Sequence, residues 1–199
     1  MHLGLFDPDP TLPADYWRRL AAQTDRVEVE IGPGDCGYLV RAARAAPRTL
    51  FVGIEVRRAV VERVRRDVEL PANVRLLLGD GRWIVSHVLA RASINALHVY
   101  FPDPWWKKRH HKRRLWTADF VRGVVRCLTA DGRLYLATDV EPAFVGAASA
   151  LEAGGLRRTG ELREREVGGA YERKYAGQGR RVYEDAFAVD GRRGDAGEG

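Results

Sequence analysis

Short apolar runs recur along the chain and alternate with stretches whose apolar residues have helical spacing. Runs of this length and character predict buried strands. In chain order they lie at residues 27–31, 50–56, 73–78, 94–101 and 132–138. Two later runs, at 156–164 and 182–189, predict closing strands that pair antiparallel.

The stretches between these runs predict helices, because apolar side chains recur there every three or four residues. They lie at residues 14–22, 57–69, 83–89 and 143–153. Thr117 is placed to cap a further helix. Strands that alternate with helices predict an α/β fold, here a Rossmann-like sheet of seven mostly parallel strands with helices on both faces.

Length and composition favour one domain in a reducing compartment. A chain of 199 residues can bury one core, so we expect a single domain over 1–189 and a disordered, Gly-rich tail at 190–199. The opening residues lack a signal peptide and no apolar run is long enough to span a bilayer, which predicts a cytoplasmic protein without membrane contact. Cys36 and Cys127 have no CxxC spacing, so we expect free thiols and no metal. A monomer and a homodimer both remain open.

A glycine-rich turn follows the first predicted strand. Gly32, Gly34 and Gly37 have the GxGxxG spacing that lets the backbone approach a ligand at the first crossover of a Rossmann-like sheet. This spacing alone is a weak signal. Glu55 strengthens it, because a carboxylate at the end of the second strand can accept hydrogen bonds from both hydroxyls of a ribose. The combination predicts a cofactor that contains adenosine.

Charge favours one such cofactor over another. A dinucleotide brings an anionic pyrophosphate, which acids close to the turn would repel. Glu30 and Asp35 are such acids, and they would instead stabilise the sulfonium and ammonium groups of S-adenosylmethionine. We therefore expect S-adenosylmethionine in preference to NAD, with an exposed strand acid as the alternative for Glu30. Asp80 either accepts from the adenine amino group or serves as a turn residue.

Residues 100–115 combine an acid, two tryptophans and a dense basic cluster. Pro102 and Pro104 should end the fourth strand and leave Asp103 at its carboxyl end, which faces the ligand crevice in a parallel sheet. The net charge is +6, and six Lys and Arg side chains fall within residues 107–114. Such a cluster predicts a polyanion as partner, with a solvated loop as the alternative.

The stretch FPDPWWKKRHHKRRL closely resembles the signature of the bacterial tRNA (guanine-N7)-methyltransferases. The resemblance extends to EIGPGDCG, GIEV, the GD at Gly79 and Asp80, YLATD, and the late segment YERKYAGQGRRVY. It implies a class I methyltransferase that transfers a methyl group from S-adenosylmethionine to N7 of a guanine in the tRNA variable loop. tRNA is then the polyanion partner.

The resemblance also implies roles for residues that match the motifs. The expected cofactor-binding residues are Glu30, Gly32, Gly34, Glu55, Asp80 and Asp103, of which Asp103 is also expected to be catalytic. The expected substrate-binding residues are Lys107, Asp139, Tyr171 and Glu172. The expected tRNA-binding residues are Arg109, His110, His111, Lys112, Arg113 and Arg114.

Three departures from the family pattern leave other functions open. Trp106 stands where proline is common, Gly169 and Ala170 replace a Thr-Lys pair, and the lead-in before Glu30 is short. One alternative is an RNA-binding relative that is non-catalytic or has altered specificity. The other is a small-molecule methyltransferase or NAD enzyme with an incidental basic loop.

Overall fold

The computed structural model describes residues 24–103, 115–162 and 181–191. Within them the chain forms one seven-stranded sheet in the order β3-β2-β1-β4-β5-β7-β6. The strands are β1 Arg26–Ile31, β2 Thr49–Glu55, β3 Val74–Leu78, β4 Ile94–Tyr100, β5 Leu128–Thr138, β6 Leu156–Arg158 and β7 Tyr183–Val189. The helices are α1 Gly37–Ala45, α2 Arg58–Asp67, α3 Gly81–His87, α4 Ala118–Cys127 and α5 Glu141–Ala153.

The pairing of the strands confirms the predicted architecture. β3, β2, β1, β4 and β5 pair in parallel, as strands joined by crossover helices must. β7 pairs antiparallel with both β5 and β6, as expected for the closing strands. The parallel strands therefore place their carboxyl ends along one edge of the sheet.

Several boundaries differ from the sequence-based expectation for local reasons. β5 begins at Leu128 instead of residue 132, because Leu128 pairs with Ile94 ahead of a register shift in the ladder. β6 ends at Arg158, well before residue 164, and Gly160 follows in a left-handed conformation with φ of +67°. α3 begins at Gly81 because the Asp80 side chain caps it. The predicted helix at 14–22 and most of the predicted tail lie outside the described residues.

Helices cover the sheet on both faces. Alternate apolar residues such as Val29, Ile54 and Leu97 pack beneath α3, α4 and α5. Phe51 and Leu76 pack on the opposite face, beneath α1 and α2. In the described part of the chain, every helix is too short or too polar to cross a lipid bilayer.

Candidate active site

The carboxyl ends of β1 to β4 border an open cleft of about 560 Å³. Its volume is within the usual range for small-molecule sites, roughly 300 to 1,000 Å³. Four residues predicted from the sequence line it, namely Gly32, Glu55, Asp80 and Asp103. They come from four different strand ends, so the parallel sheet brings them together.

The glycine-rich turn leaves room for a ligand. Gly32 and Gly34 have φ of +70° and +58°, a region in which a side chain is strained. A Cβ atom added to either glycine would meet nothing within 4 Å, so the turn presents bare backbone to open space. This shape fits the close backbone approach expected for the predicted cofactor.

Cys36 lies in the same turn but is unsuited to act as a nucleophile. It is fully buried, and burial raises the pKa of its thiol to about 12, with a smaller contribution from the charge of Glu30. The thiol is therefore protonated at neutral pH, whereas the thiolate is the reactive form.

Glu55 is buried at the end of β2 and is held by Arg57. The Arg57 backbone N–H and Nε donate to Glu55 Oε1 over 2.9 and 3.0 Å, and Arg57 Nη2 donates to Oε2 over 3.1 Å. The hydrogen bond to Glu55 raises the pKa of the Arg57 guanidinium, and the charge of Asp103 adds to this effect. Arg57 itself is 65% exposed and lines the cleft.

Asp80 has a structural role in addition to its predicted contact with adenine. Its Oδ1 atom accepts hydrogen bonds from the backbone N–H groups of Arg82 at 2.9 Å and Trp83 at 3.3 Å. It therefore caps α3, which agrees with the turn role considered from the sequence. Its contact with adenine stays a prediction.

Asp103 reaches the cleft through an unusual backbone conformation. The Phe101 N–H donates to the carbonyl oxygen of Ala137 over 2.7 Å, which extends the pairing of β4 with β5. Phe101 then adopts φ of +49°, which is rare for a residue other than glycine. The chain turns at this point, and Pro102 and Asp103 line the cleft.

The other predicted residues are placed differently. Glu30 is 5% exposed within β1, so the alternative of an exposed strand acid is wrong. Three predicted residues of the described chain do not line the cleft, namely Glu30, Gly34 and Asp139. Asp139 directly follows β5. The predicted residues that fall outside the described part of the chain are Lys107, Arg109, His110, His111, Lys112, Arg113, Arg114, Tyr171 and Glu172, together with Trp106, Gly169 and Ala170.

Sequence reasoning missed two sets of contacts near the cleft. It gave no role to Arg57, although the Glu-x-Arg spacing at the end of β2 is a signal for the contact of Arg57 with Glu55. It also missed that Glu28, His98 and Tyr100 are joined by hydrogen bonds. Within the described residues, no group of His, Cys, Asp and Glu side chains is suited to hold a metal ion.

The sheet is a Rossmann-like α/β fold with an open cleft at the carboxyl ends of its parallel strands. A family model described as "Putative methyltransferase" matches residues 24–184. The chain therefore belongs to this methyltransferase family.

Curated relatives confirm the resemblance noted in the sequence. The tRNA (guanine-N(7)-)-methyltransferase of Alkalilimnicola ehrlichii is 38% identical over 138 residues, which cover 68% of this chain and 58% of that protein. The enzyme of the same name from Shewanella oneidensis is 38% identical over 142 residues, covering 70% and 58%. The chain thus spans little more than half the length of these relatives.

Solved structures share the fold at low sequence identity. The 16S rRNA methyltransferase KamB aligns with a TM-score of 0.66 and 15% identity, over 90% of this chain and 94% of that one. The aminoglycoside resistance methyltransferase NpmB1 aligns with a TM-score of 0.63 and 16% identity, over 89% and 94%. At this identity the similarity establishes the fold alone.

Proposed function

We propose that the protein transfers a methyl group from S-adenosylmethionine to N7 of a guanine in the variable loop of tRNA. The observation that carries the proposal is the convergence of Glu55, Asp80 and Asp103 beside the bare backbone of Gly32 in one cleft. The names of the curated relatives support the choice of target atom and nucleic acid.

The residues of the cleft suit the separate parts of the cofactor. The Glu55 carboxylate would accept from the ribose hydroxyls, and Asp80 would accept from the adenine amino group. Glu30, buried in the strand that leads into the glycine turn, contributes negative charge that favours a cationic ligand. When bound, the cofactor supplies an electrophilic methyl group.

The target base needs orientation more than activation. N7 of guanine carries a free lone pair, so no general base is required. Holding N7 in line with the methyl group can contribute roughly 7 to 11 kcal/mol in favourable cases. Asp103 would hold the base by accepting hydrogen bonds from its N1 and N2 groups, and its charge would stabilise the positive charge that develops on the purine.

The basic segment at residues 107–114 is proposed to hold the tRNA. The side chains proposed to contact phosphates, with little base specificity, are those of Lys107, Arg109, Lys112, Arg113 and Arg114. Lys107 also matches a substrate-contacting position of the family. Asp139, Tyr171 and Glu172 are proposed to contact the substrate. These roles rest on the resemblance to the family.

The deciding experiment is incubation of the protein with methyl-labelled S-adenosylmethionine and unmodified tRNA, followed by nucleoside analysis. We expect label in 7-methylguanosine, and none when the variable-loop guanine of the transcript is replaced by adenine. tRNA binding without label in any nucleoside would favour a non-catalytic relative. Cofactor binding without retention of tRNA would favour a small-molecule methyltransferase.

A further inference from the structure

Three polar side chains form a connected row across β1 and β4. His98 Nε2 lies 3.0 Å from Glu28 Oε2, and His98 Nδ1 lies 2.9 Å from the hydroxyl oxygen of Tyr100. His98 is fully buried and Glu28 is 2% exposed. The function proposed above uses none of the three.

The strand register directs this row toward the cleft. Glu28 lies opposite Ala96, so their side chains share a face of the sheet. His98 and Tyr100 follow Ala96 at every second residue, so they lie on the same face and progressively closer to the carboxyl edge. Tyr100 is the last residue of β4 and lines the cleft, three residues before Asp103. The row therefore connects the sheet interior to the proposed cofactor site.

Neighbouring aromatic rings fix the row in place. The His98 ring stacks on Tyr135 with centroids 5.2 Å apart and planes within 7° of parallel. The Tyr100 ring meets Tyr38 edge to face, also at 5.2 Å. Contacts on both rings leave them little freedom to reorient.

The hydrogen bonds set the direction of the Tyr100 side chain. With an ionised Glu28 and a neutral imidazole, His98 Nε2 would donate to Glu28 and Nδ1 would accept from the Tyr100 hydroxyl, which lies 2.9 Å away. The hydroxyl is thus turned back toward His98, which leaves the ring as the part of the side chain available to a ligand. Burying a carboxylate and an imidazole is costly, and apolar residues in their place would pack the sheet as well.

We propose that the Tyr100 ring contacts the sulfonium end of S-adenosylmethionine, and that Glu28 and His98 are positioning residues that hold this ring. The inference rests on the proposed function. The electron-rich face of an aromatic ring attracts a cation, most strongly where water is excluded. Glu55 and Asp103 line the same cleft and add to its negative charge.

The first measurement is the affinity for S-adenosylmethionine by calorimetry, without tRNA. Tyr100→Leu removes the ring and is expected to weaken binding about tenfold, a typical size for a partly desolvated cation–π contact. Tyr100→Phe keeps the ring and should bind within about twofold of the unaltered protein. Tyr183→Phe is the matched control, because the Tyr183 hydroxyl is hydrogen-bonded as well, donating to the Glu141 carboxylate away from the cleft.

The second measurement separates positioning from packing by a double-mutant cycle on methyl transfer. Tyr100→Phe and Glu28→Gln should each lower kcat about fivefold with the KM for tRNA unchanged, because a ring that the row no longer holds keeps its contact with the cofactor but aligns the methyl group less well. The double variant should lose no more than either single variant, because both changes break the same row. Thermal unfolding without cofactor reports any loss of stability separately.

The outcomes are distinct. If the unaltered protein binds S-adenosylmethionine and the affinity of Tyr100→Leu stays within about twofold, this inference alone is overturned. Additive losses of kcat in the cycle would overturn it as well. Failure of the unaltered protein to bind S-adenosylmethionine overturns the proposed function as well. If Tyr100→Leu does not fold, the cycle of Tyr100→Phe and Glu28→Gln decides the matter by itself.

Discussion

The two faces of β1 and β4 differ in chemistry although both are buried. On one face the strands present the apolar side chains of Val27, Val29, Leu97 and Val99 to α3, α4 and α5. On the other face the alternating positions hold Glu28, Glu30, His98 and Tyr100. The first set of side chains forms the apolar face of this strand pair, and the second set forms its polar face.

The difference indicates that the two faces serve different purposes. Burial of apolar area stabilises the fold by about 25 cal/mol per Å². Buried carboxylates and imidazoles contribute no comparable gain, since their desolvation offsets much of their attraction. The polar face leads toward the cleft, so we expect changes on the apolar face to alter stability and changes on the cleft side to alter ligand affinity or turnover.

The largest expected effect is on the apolar face. Leu97→Ala should lower the free energy of unfolding by about 2 to 5 kcal/mol, because it leaves a cavity at a fully buried site. Urea denaturation measures the change. Val145→Ala, at an exposed apolar position on α5, should change it by less than about 0.5 kcal/mol. A tenfold loss of cofactor affinity in folded Leu97→Ala protein would contradict the division between the faces.

Asp103→Asn tests the cleft side at the proposed catalytic position. The substitution keeps the shape and removes the charge, and turnover should fall about thirtyfold, roughly 2 kcal/mol, without a change in unfolding temperature. Single-turnover methylation of tRNA measures the effect. Asp131→Asn, an exposed acid early in β5, serves as the matched control. A loss within about threefold, roughly 0.7 kcal/mol, would reject the role of Asp103.

Glu55→Gln probes the proposed ribose contact. We expect affinity for S-adenosylmethionine to fall about tenfold, roughly 1.4 kcal/mol, because charge-assisted hydrogen bonds to the ribose become neutral ones. Calorimetry gives the affinity directly. Glu161→Gln also alters a carboxylate paired with an arginine, Arg133, but at a surface site, and should leave the affinity unchanged. Equal losses in the two variants would show that the effect is nonspecific.

The two cysteines allow the two sides of the sheet to be compared within one molecule. Cys36 packs in the apolar cluster on the side covered by α1 and α2, whereas Cys127, the last residue of α4, packs in the core on the opposite side. Burial raises the pKa of both thiols from 9.0 to about 12, so both should alkylate slowly below pH 9. Because the folded state retains these protons longer than the unfolded state, the associated stability is present below pH 9 and declines as pH rises toward 12.

Cofactor binding should protect the two thiols unequally. Saturating S-adenosylmethionine is expected to slow alkylation of Cys36 about fivefold, since opening of the glycine turn must then release the ligand. Cys127 should change by less than about twofold. Mass spectrometry of the alkylated peptides follows both sites in one sample. Equal slowing of alkylation at both thiols would show that the ligand acts by suppressing global unfolding and not by closing the glycine turn.

Local patterns carried much of the information about this molecule. The glycine turn after the first strand and the acid at the end of the second are adjacent to their elements in the chain, so they were visible before any contact was known. Asp80 shows the limit of such patterns, because the same Gly-flanked acid is compatible with a turn residue and with a ligand contact. The described structure supplies the cap, since Oδ1 faces the first N–H groups of α3.

Short-range periodicity and contiguous motifs specify the order of strands and helices, the glycine turn, and the acids at the strand ends, so these features could be predicted from the chain. The neighbour of β1 in the sheet follows only from the packed fold. That choice joins Glu28 to His98, which are 70 residues apart in the chain, and buries Glu30. Strand periodicity predicts which side chains of one strand share a face, but it does not predict which strands are neighbours. The polar face forms because β4 pairs with β1 in the packed sheet.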